Sequence, residues 1–251
     1  MPNILFICAL EQEKKALTDS LNACLEVLLI SSHMDVKVER YRQHDLDIYV
    51  CESGMGNVNA GTNLALILNK INIQQVILIG VGGALDAQLN IGDMIISDQV
   101  IQHDYHSSLD SGNYLMRPGD LILDAQQAVN YDPVIRSSHC IFNPKALSHN
   151  NIEIKHALIA SGSEFVGTAQ RKHAIYKQCQ QALLVDMEAS AIASISNQFN
   201  TPFLVAKTVS DKLHTDGSIS QDFSKFLDAA SRNAALIAQL IIASMLEPHD
   251  S

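Results

Sequence analysis

The sequence lacks features that mark several large classes of protein. It has no tryptophan, and its five cysteines are scattered and odd in number, without a Cys-x-x-Cys spacing. They are expected to be reduced thiols of a cytoplasmic protein rather than a disulfide framework. No group of histidines and cysteines has the spacing of a zinc site, so no metal is predicted.

Long hydrophobic runs and basic blocks are also missing. No continuous apolar run approaches the roughly 18–20 residues that cross a bilayer. The first apolar segment is short and runs into acidic residues, which predicts a core strand rather than a signal peptide. The 17 basic and 27 acidic residues give a formal charge of −10. Neither a membrane nor a nucleic acid is therefore expected as a partner.

Apolar strand-like runs alternate with helical patterns along the whole chain. With 251 residues, 47% of them hydrophobic, and with no internal repeat or linker, residues 1–251 are predicted to form one α/β domain around a central sheet. Strands are predicted at 4–9, 25–31, 36–42, 47–53, 75–80, 94–103, 156–161, 183–186 and 202–211. Helices are predicted at 11–23, 58–70, 168–180, 188–199 and 220–246, and the proline-containing segment 107–151 is predicted to be loop with a helix near 121–129.

Three carboxylates follow predicted strands. Glu13, Glu188 and Asp211 each come just after, or at the end of, an apolar strand. Because ligands bind beyond the carboxyl ends of strands in open α/β sheets, these residues are predicted to converge in one cleft. Taken singly, each has a plainer explanation as a helix N-terminal or turn residue.

A glycine-rich stretch, GVGGAL, follows the strand at 75–80. It does not match a dinucleotide-binding fingerprint, because Leu85 stands where the last glycine belongs. Gly80, Gly82 and Gly83 therefore predict either a tight turn or a close approach of the backbone to a ligand.

Together, several stretches resemble the nucleoside phosphorylase and nucleosidase superfamily. They are most similar to 5′-methylthioadenosine/S-adenosylhomocysteine nucleosidases. The resemblance runs from about Ile4 to Leu240 and rests on CALEQE, ESGMGNVNA, VILIGVGGAL, NIGDMIISD, SGSEFVG, VDMEASAIA and TVSD. It implies a three-layer α/β/α domain with a central mixed sheet, a small nucleoside as ligand, a homodimer and no cofactor.

The resemblance also implies roles for single residues. Asp211 would protonate the purine at N7, and Glu13 would hold and deprotonate a water molecule, so the two carboxyls should differ in pKa. Glu188 would accept hydrogen bonds from the ribose hydroxyls. The remaining predicted substrate-binding residues are Met187 against the sugar, Phe165 and the backbone near Val166 against the purine, Phe223 closing over the ligand, and Val81, Gly82 and Ser210.

Hydrolysis is favoured over phosphorolysis by the charges near the first strand. Glu11 and Glu13 would repel phosphate, and no arginine precedes the glycine-rich stretch, although phosphorylases of this fold use arginines to hold phosphate. A purine nucleoside phosphorylase, a futalosine-type nucleosidase and a non-catalytic nucleoside-binding protein remain open alternatives. Val81 in place of a serine, Lys207 in place of an arginine and the polar stretch at 106–114 are departures from the nucleosidase pattern.

Overall fold

The computed structural model describes residues 2–138, 140, 147, 154–212 and 223–246. The strands are β1 (Asn3–Cys8), β2 (Glu26–Ser31), β3 (Val36–Gln43), β4 (Leu46–Glu52), β5 (Gln75–Ala84), β6 (Met94–Ser97), β7 (Gln99–Gln102), β8 (His106–Leu109), β9 (Gly112–Leu115), β10 (Val134–Arg136), β11 (Ile154–His156), β12 (Ile159–Ser161), β13 (Leu184–Asp186) and β14 (Phe203–Asp211). The helices are α1 (Glu11–Thr18), α2 (Asn57–Leu68), α3 (Ala125–Ala128), α4 (Ala169–Gln178), α5 (Ala189–Gln198) and α6 (Phe223–Leu246).

Twelve of these strands form one mixed sheet. At its centre, β1 lies parallel to both β4 and β5, and β14 is also parallel to β5. Strand β13 pairs with the far end of β5 in the antiparallel sense. Strand β5 is buried along its whole length and borders β1, β13 and β14. It is therefore the central strand beside which the ends of these three strands lie.

Alternate residues of the central strands face two different layers of helices. In β1, Leu5 and Ile7 pack with α2 and α5, whereas Ile4 and Phe6 pack with α1 and α6. This period of two is what a strand buried on both faces requires. The predicted three-layer α/β/α architecture with a central mixed sheet is confirmed.

Helix α6 carries the one stretch of the described residues, Phe226–Leu246, that is long and apolar enough to cross a membrane by length and composition. Its buried stripe, which includes Ile237 and Ile241, packs against β5 and β14. Asp228 and Arg232 interrupt this stretch, so it contains no continuous apolar run of that length. In this fold, α6 serves as a core helix of one face.

Two predicted element ends are wrong. The helix predicted at 11–23 ends at Thr18, where Ser20 turns the chain and donates its hydroxyl to the carbonyl of Leu17. The strand predicted at 75–80 continues to Ala84, because β13 and β14 both pair with the glycine-containing part. The tight-turn interpretation of GVGGAL is therefore wrong.

Two further segments are more regular, or more divided, than the sequence indicated. The strand predicted at 94–103 is split at Asp98 into β6 and β7, where the Ser97 hydroxyl bonds to the backbone of Gln99. The strand predicted at 156–161 is likewise interrupted, between the end of β11 at His156 and the start of β12 at Ile159. The predicted loop at 107–151 contains the hairpin β8–β9 and the strand β10, while its predicted helix shrinks to α3. Gly112, the first residue of β9, has a φ of +139°, a conformation that glycine adopts readily and that allows the chain to reverse here.

Candidate active site

One cleft lies where the ends of β1, β4, β5, β12, β13 and β14 meet. It encloses about 620 Å³ of empty space, a volume that includes open solvent at its mouth. Nine of the ten predicted site residues line it: Glu13, Val81, Gly82, Phe165, Val166, Met187, Glu188, Ser210 and Asp211. The tenth, Phe223, is the first residue of α6, and its side chain lies outside the described part of the chain.

Glu13 is held by backbone amides at the start of α1. Its Oε2 accepts hydrogen bonds from the N–H groups of Ala9 at 2.9 Å and Leu10 at 3.0 Å, and its Oε1 accepts from Val81 at 2.9 Å. Residue 80 must be glycine for this approach, since a Cβ there would lie 2.4 Å from Oε1. The backbone at Gly80 thus closely approaches a side chain of the protein itself, and the predicted approach to a ligand stays a prediction.

Burial raises the pKa of Glu13, although the Lys207 ammonium and the N–H donors of Leu10 and Val81 act in the opposite direction. The carboxyl is 1% exposed, and loss of hydration disfavours its charged form. Glu188 raises the pKa of Glu13 further, as a second negative charge in the same cleft.

A buried cluster of one lysine and two carboxylates forms the floor of the cleft. Lys207 Nζ on β14 lies 3.1 Å from Asp186 Oδ2 and 3.2 Å from Glu188 Oε2. Burial lowers the pKa of Lys207, but Asp186, Glu188 and Glu13 raise it by more, so it stays an ammonium. Asp186, whose role the sequence left unassigned, also accepts from the N–H of Ala189 at the start of α5.

Both carboxylate oxygens of Glu188 have partners that fix the position of the side chain. Its Oε1 accepts from the N–H of Gly56 at 2.9 Å, and its Oε2 lies beside Lys207. The side chain is 6% exposed and lines the cleft. A carboxylate has about four acceptor positions, so capacity for further donors remains.

Asp211 ends β14 at an irregularity of the sheet. The register with β5 shifts between Val209 and Asp211, and such bulges redirect side chains. The Ser210 hydroxyl lies 3.1 Å from both Asp211 Oδ1 and the carbonyl of Gly82. The other carboxylate oxygen, Oδ2, pairs with the ammonium of Lys172.

The open side of the cleft is apolar. Phe165 is 65% exposed and Met55 is 59% exposed, while Val166 is buried and Leu10 completes this side. His106 lies on the exposed hairpin strand β8 and does not line the cleft.

The cleft carries an excess of negative groups. Among the described residues that line it are five carboxylates, Glu13, Glu164, Asp186, Glu188 and Asp211, and no lysine or arginine. Lys207 lies beneath the surface and is already paired. In the same part of the chain, no group of three histidine, cysteine, aspartate or glutamate side chains is placed to hold a metal ion.

Sequence reasoning missed Lys172 and Met55. Lys172 belongs to a stripe of α4 that includes Ile175 and Cys179, at the three- and four-residue spacing of a buried helix face. A lysine on such a stripe is the signal that could have marked it. Met55 follows β4 within ESGMGNVNA, one of the stretches that carry the resemblance, but it is not among the predicted site residues.

Comparison with known proteins identifies the family. Residues 3–245 match the model of the Phosphorylase superfamily. The 5′-methylthioadenosine/S-adenosylhomocysteine nucleosidase of Staphylococcus haemolyticus is 32% identical over 236 residues, covering 94% of this chain and 97% of that protein.

Two solved structures share the fold. The Helicobacter pylori 5′-methylthioadenosine/S-adenosylhomocysteine nucleosidase superposes with a TM-score of 0.80 at 22% identity, over 96% of this chain and 98% of that one. The futalosine hydrolase of Helicobacter pylori gives a TM-score of 0.79 at 22% identity, over 96% and 97%. The superfamily match and the full-length sequence similarity together show that this chain belongs to the Phosphorylase superfamily and, within it, to the 5′-methylthioadenosine/S-adenosylhomocysteine nucleosidases.

Proposed function

We propose that this protein hydrolyses the N-glycosidic bond of a 5′-substituted adenine nucleoside and releases adenine. The substrates are those named for its relatives, 5′-methylthioadenosine and S-adenosylhomocysteine. The observation that carries the proposal is the convergence of Glu13, Glu188 and Asp211 in one cleft. Breaking this bond builds positive charge on the ribose and negative charge on the purine, so it needs an acid on one side and an activated nucleophile on the other.

Glu13 is the proposed base that activates water. Three of its roughly four acceptor positions are used by the N–H groups of Ala9, Leu10 and Val81, which leaves one for a water proton. Because these donors are backbone groups, they fix the direction in which the remaining position points.

Asp211 is the proposed donor of the proton to the purine N7, with Ser210 beside it. Glu188 accepts hydrogen bonds from the ribose hydroxyls, and Met187 packs on the sugar. Phe165 stacks on the purine, the Val166 backbone reads its edge, and Val81 and Gly82 border the sugar. Phe223 is the proposed residue that closes over the ligand.

Water, rather than phosphate, is the proposed nucleophile. A phosphate dianion needs cations in a fork geometry, whereas the described lining offers five carboxylates and no lysine or arginine. A purine nucleoside phosphorylase is therefore the weaker alternative.

The apolar side chains of Leu10, Met55 and Phe165 suit a thioether substituent at the 5′ position. The polar stretch at 106–114, which departs from the nucleosidase pattern, forms the hairpin β8–β9 and does not line the cleft of this chain. A futalosine-type substrate is kept as the second candidate, since the futalosine hydrolase shares the fold to the same degree.

Two variants on helix α1 test the proposal. Glu13→Gln keeps the size of the side chain but cannot take a proton, so turnover should fall by about a hundredfold or more while nucleoside binding is kept. Glu11→Gln, on the same turn but exposed, is the matched control and should keep full activity. An active Glu13→Gln enzyme would exclude Glu13 as the base, and binding without turnover in the wild type would favour the nucleoside-binding alternative.

We also propose that residues 1–251 act as one domain in a homodimer in the cytoplasm. The superfamily match spans residues 3–245, which supports a single domain. A groove between α2 and α5 supports the dimer, since it is lined by Val58, which is 80% exposed, and by Ile195 and Phe199. Along this groove α2 and α5 pack closely, since Gly61 is buried and faces the side chain of Ala191.

A further inference from the structure

Lys172 is a charged residue in a place where charge is costly. It lies on α4 and is fully buried. The same stripe of the helix packs into an apolar cluster that includes Leu85, Val166 and Val185. A lysine in such surroundings is retained only if it has a partner, because an unpaired buried ammonium costs several kcal/mol.

Its partner is the carboxylate of Asp211. The ammonium contacts Oδ2, while Oδ1 lies 3.1 Å from the Ser210 hydroxyl. A Cβ at residue 83 would lie 3.1 Å from both Lys172 Nζ and Asp211 Oδ2, so Gly83 is what leaves room for the pair. Asp211 lines the cleft, whereas Lys172 is not among the lining residues and lies behind it.

The contact with Lys172 conflicts with the simplest mechanism, in which Asp211 alone is the general acid that protonates the purine. Asp211 must deliver a proton to the leaving purine, but a cation in direct contact favours the ionised carboxylate. A second proton donor beside this carboxylate is therefore needed, and the ammonium of Lys172 is in contact with it.

We propose that Lys172 is a positioning residue that stores the proton which Asp211 delivers to the purine. The inference rests on the proposed function. As the bond between C1′ and N9 breaks, its electron pair moves to the purine. The Nζ–H of Lys172 gives a proton to the Asp211 carboxylate, which delivers one to N7 and ends as a carboxylate beside a neutral lysine, while the oxygen of the attacking water bonds to C1′. Glu13 takes the proton of the attacking water, so the total charge of the site is unchanged, and exchange with solvent restores both groups.

Other charged groups surround the pair without competing for it. Asp186 and Glu188 are paired with Lys207, and Glu164 is paired with Arg171, which also lies near His103. Glu13 is bonded to three backbone amides across the cleft. Cys179, on the buried stripe of α4, has a pKa raised by burial to about 12 and so stays neutral.

The test is the pH profile of Lys172→Met with a 5′-methylthioadenosine substrate. A lone carboxyl loses its proton several pH units below an ammonium. The basic limb of the kcat profile should therefore move to lower pH by about one unit or more. At mildly alkaline pH, kcat should fall at least tenfold, with KM changed less than about threefold, because Lys172 does not touch the substrate. Lys177→Met, on the exposed side of the same helix, is the matched control and should leave the profile unchanged.

Two further variants separate proton storage from a structural role. Lys172→Arg keeps the charge but holds its protons too tightly to supply one, so it should not restore kcat. In an Asp211→Asn background, Lys172→Met should have no further effect beyond about twofold, because it acts through Asp211. Thermal unfolding of each variant confirms that it is folded.

The inference is overturned if folded Lys172→Met keeps the wild-type profile, if arginine restores kcat, or if the two substitutions act additively. A wild type that releases adenine from no nucleoside would overturn the proposed function itself, together with this inference. The two failures are thus distinguished by the wild-type measurement alone.

Discussion

Single residues decide the geometry of the cleft, and Gly80 is the clearest case. Its φ is +150°, and its missing side chain is what lets the Glu13 carboxylate approach β5 and reach the amide of Val81. The glycine therefore matters for Glu13 more than for any turn of the chain.

Gly80→Ala should lower kcat/KM by about a hundredfold, because the new Cβ displaces the proposed base by roughly an ångström. Gly119→Ala is the matched control, since Gly119 also has a positive φ, of +96°, but has no atom within 4 Å of the position of a new Cβ. The comparison of kcat/KM between the two folded variants checks the prediction, and equal activity would contradict it.

The raised pKa of Glu13 makes activity depend on pH in a defined direction. A base works only when ionised, so activity should rise with pH through the raised pKa of this buried carboxyl. The acidic limb of kcat/KM should then lie above 4.5, the ordinary value for a glutamate. A profile measured across the acidic range would contradict the assignment if this limb lay at or below the ordinary value.

Three elements are joined by the buried Lys207. It connects β14 to Asp186 at the end of β13 and to Glu188 at the start of α5. Lys207→Met should lower the free energy of unfolding by about 3–5 kcal/mol, because it leaves two buried carboxylates without their cation.

Denaturant unfolding measures this change, and Lys15→Met supplies the control. Lys15 pairs with Asp19 on the surface, where both side chains are more than half exposed, so its loss should cost less than about 1 kcal/mol. Similar losses for the two variants would show that the buried cluster does not hold these elements together.

The sequence predicted the elements whose patterns are local. Apolar runs located β1, β4 and β14, and the motif VDMEASAIA located Glu188 at the start of α5. The extension of β5 through its glycines was not predictable, because strands distant in the chain pair with it there. The pairing of Lys172 with Asp211 was missed for the same reason, since the two residues are 39 positions apart.

At the level of the whole molecule, the proposed dimer depends on the groove between α2 and α5. Val58→Glu places a charge on an exposed apolar side chain of this groove, and it should convert the dimer to a monomer in light scattering coupled to size exclusion. Val129→Glu is the control, because Val129 is similarly exposed, at 76%, but lies outside the groove. A wild type that is monomeric, or a Val58→Glu protein that remains a dimer, would contradict this interface.

The measurement that tests the central claim most directly is release of free adenine from 5′-methylthioadenosine and S-adenosylhomocysteine, with and without phosphate. The account predicts release at the same rate in both conditions, because the carboxylate-lined cleft activates water and repels phosphate. Release that requires phosphate would contradict hydrolysis, and no release from either nucleoside would contradict the proposed function.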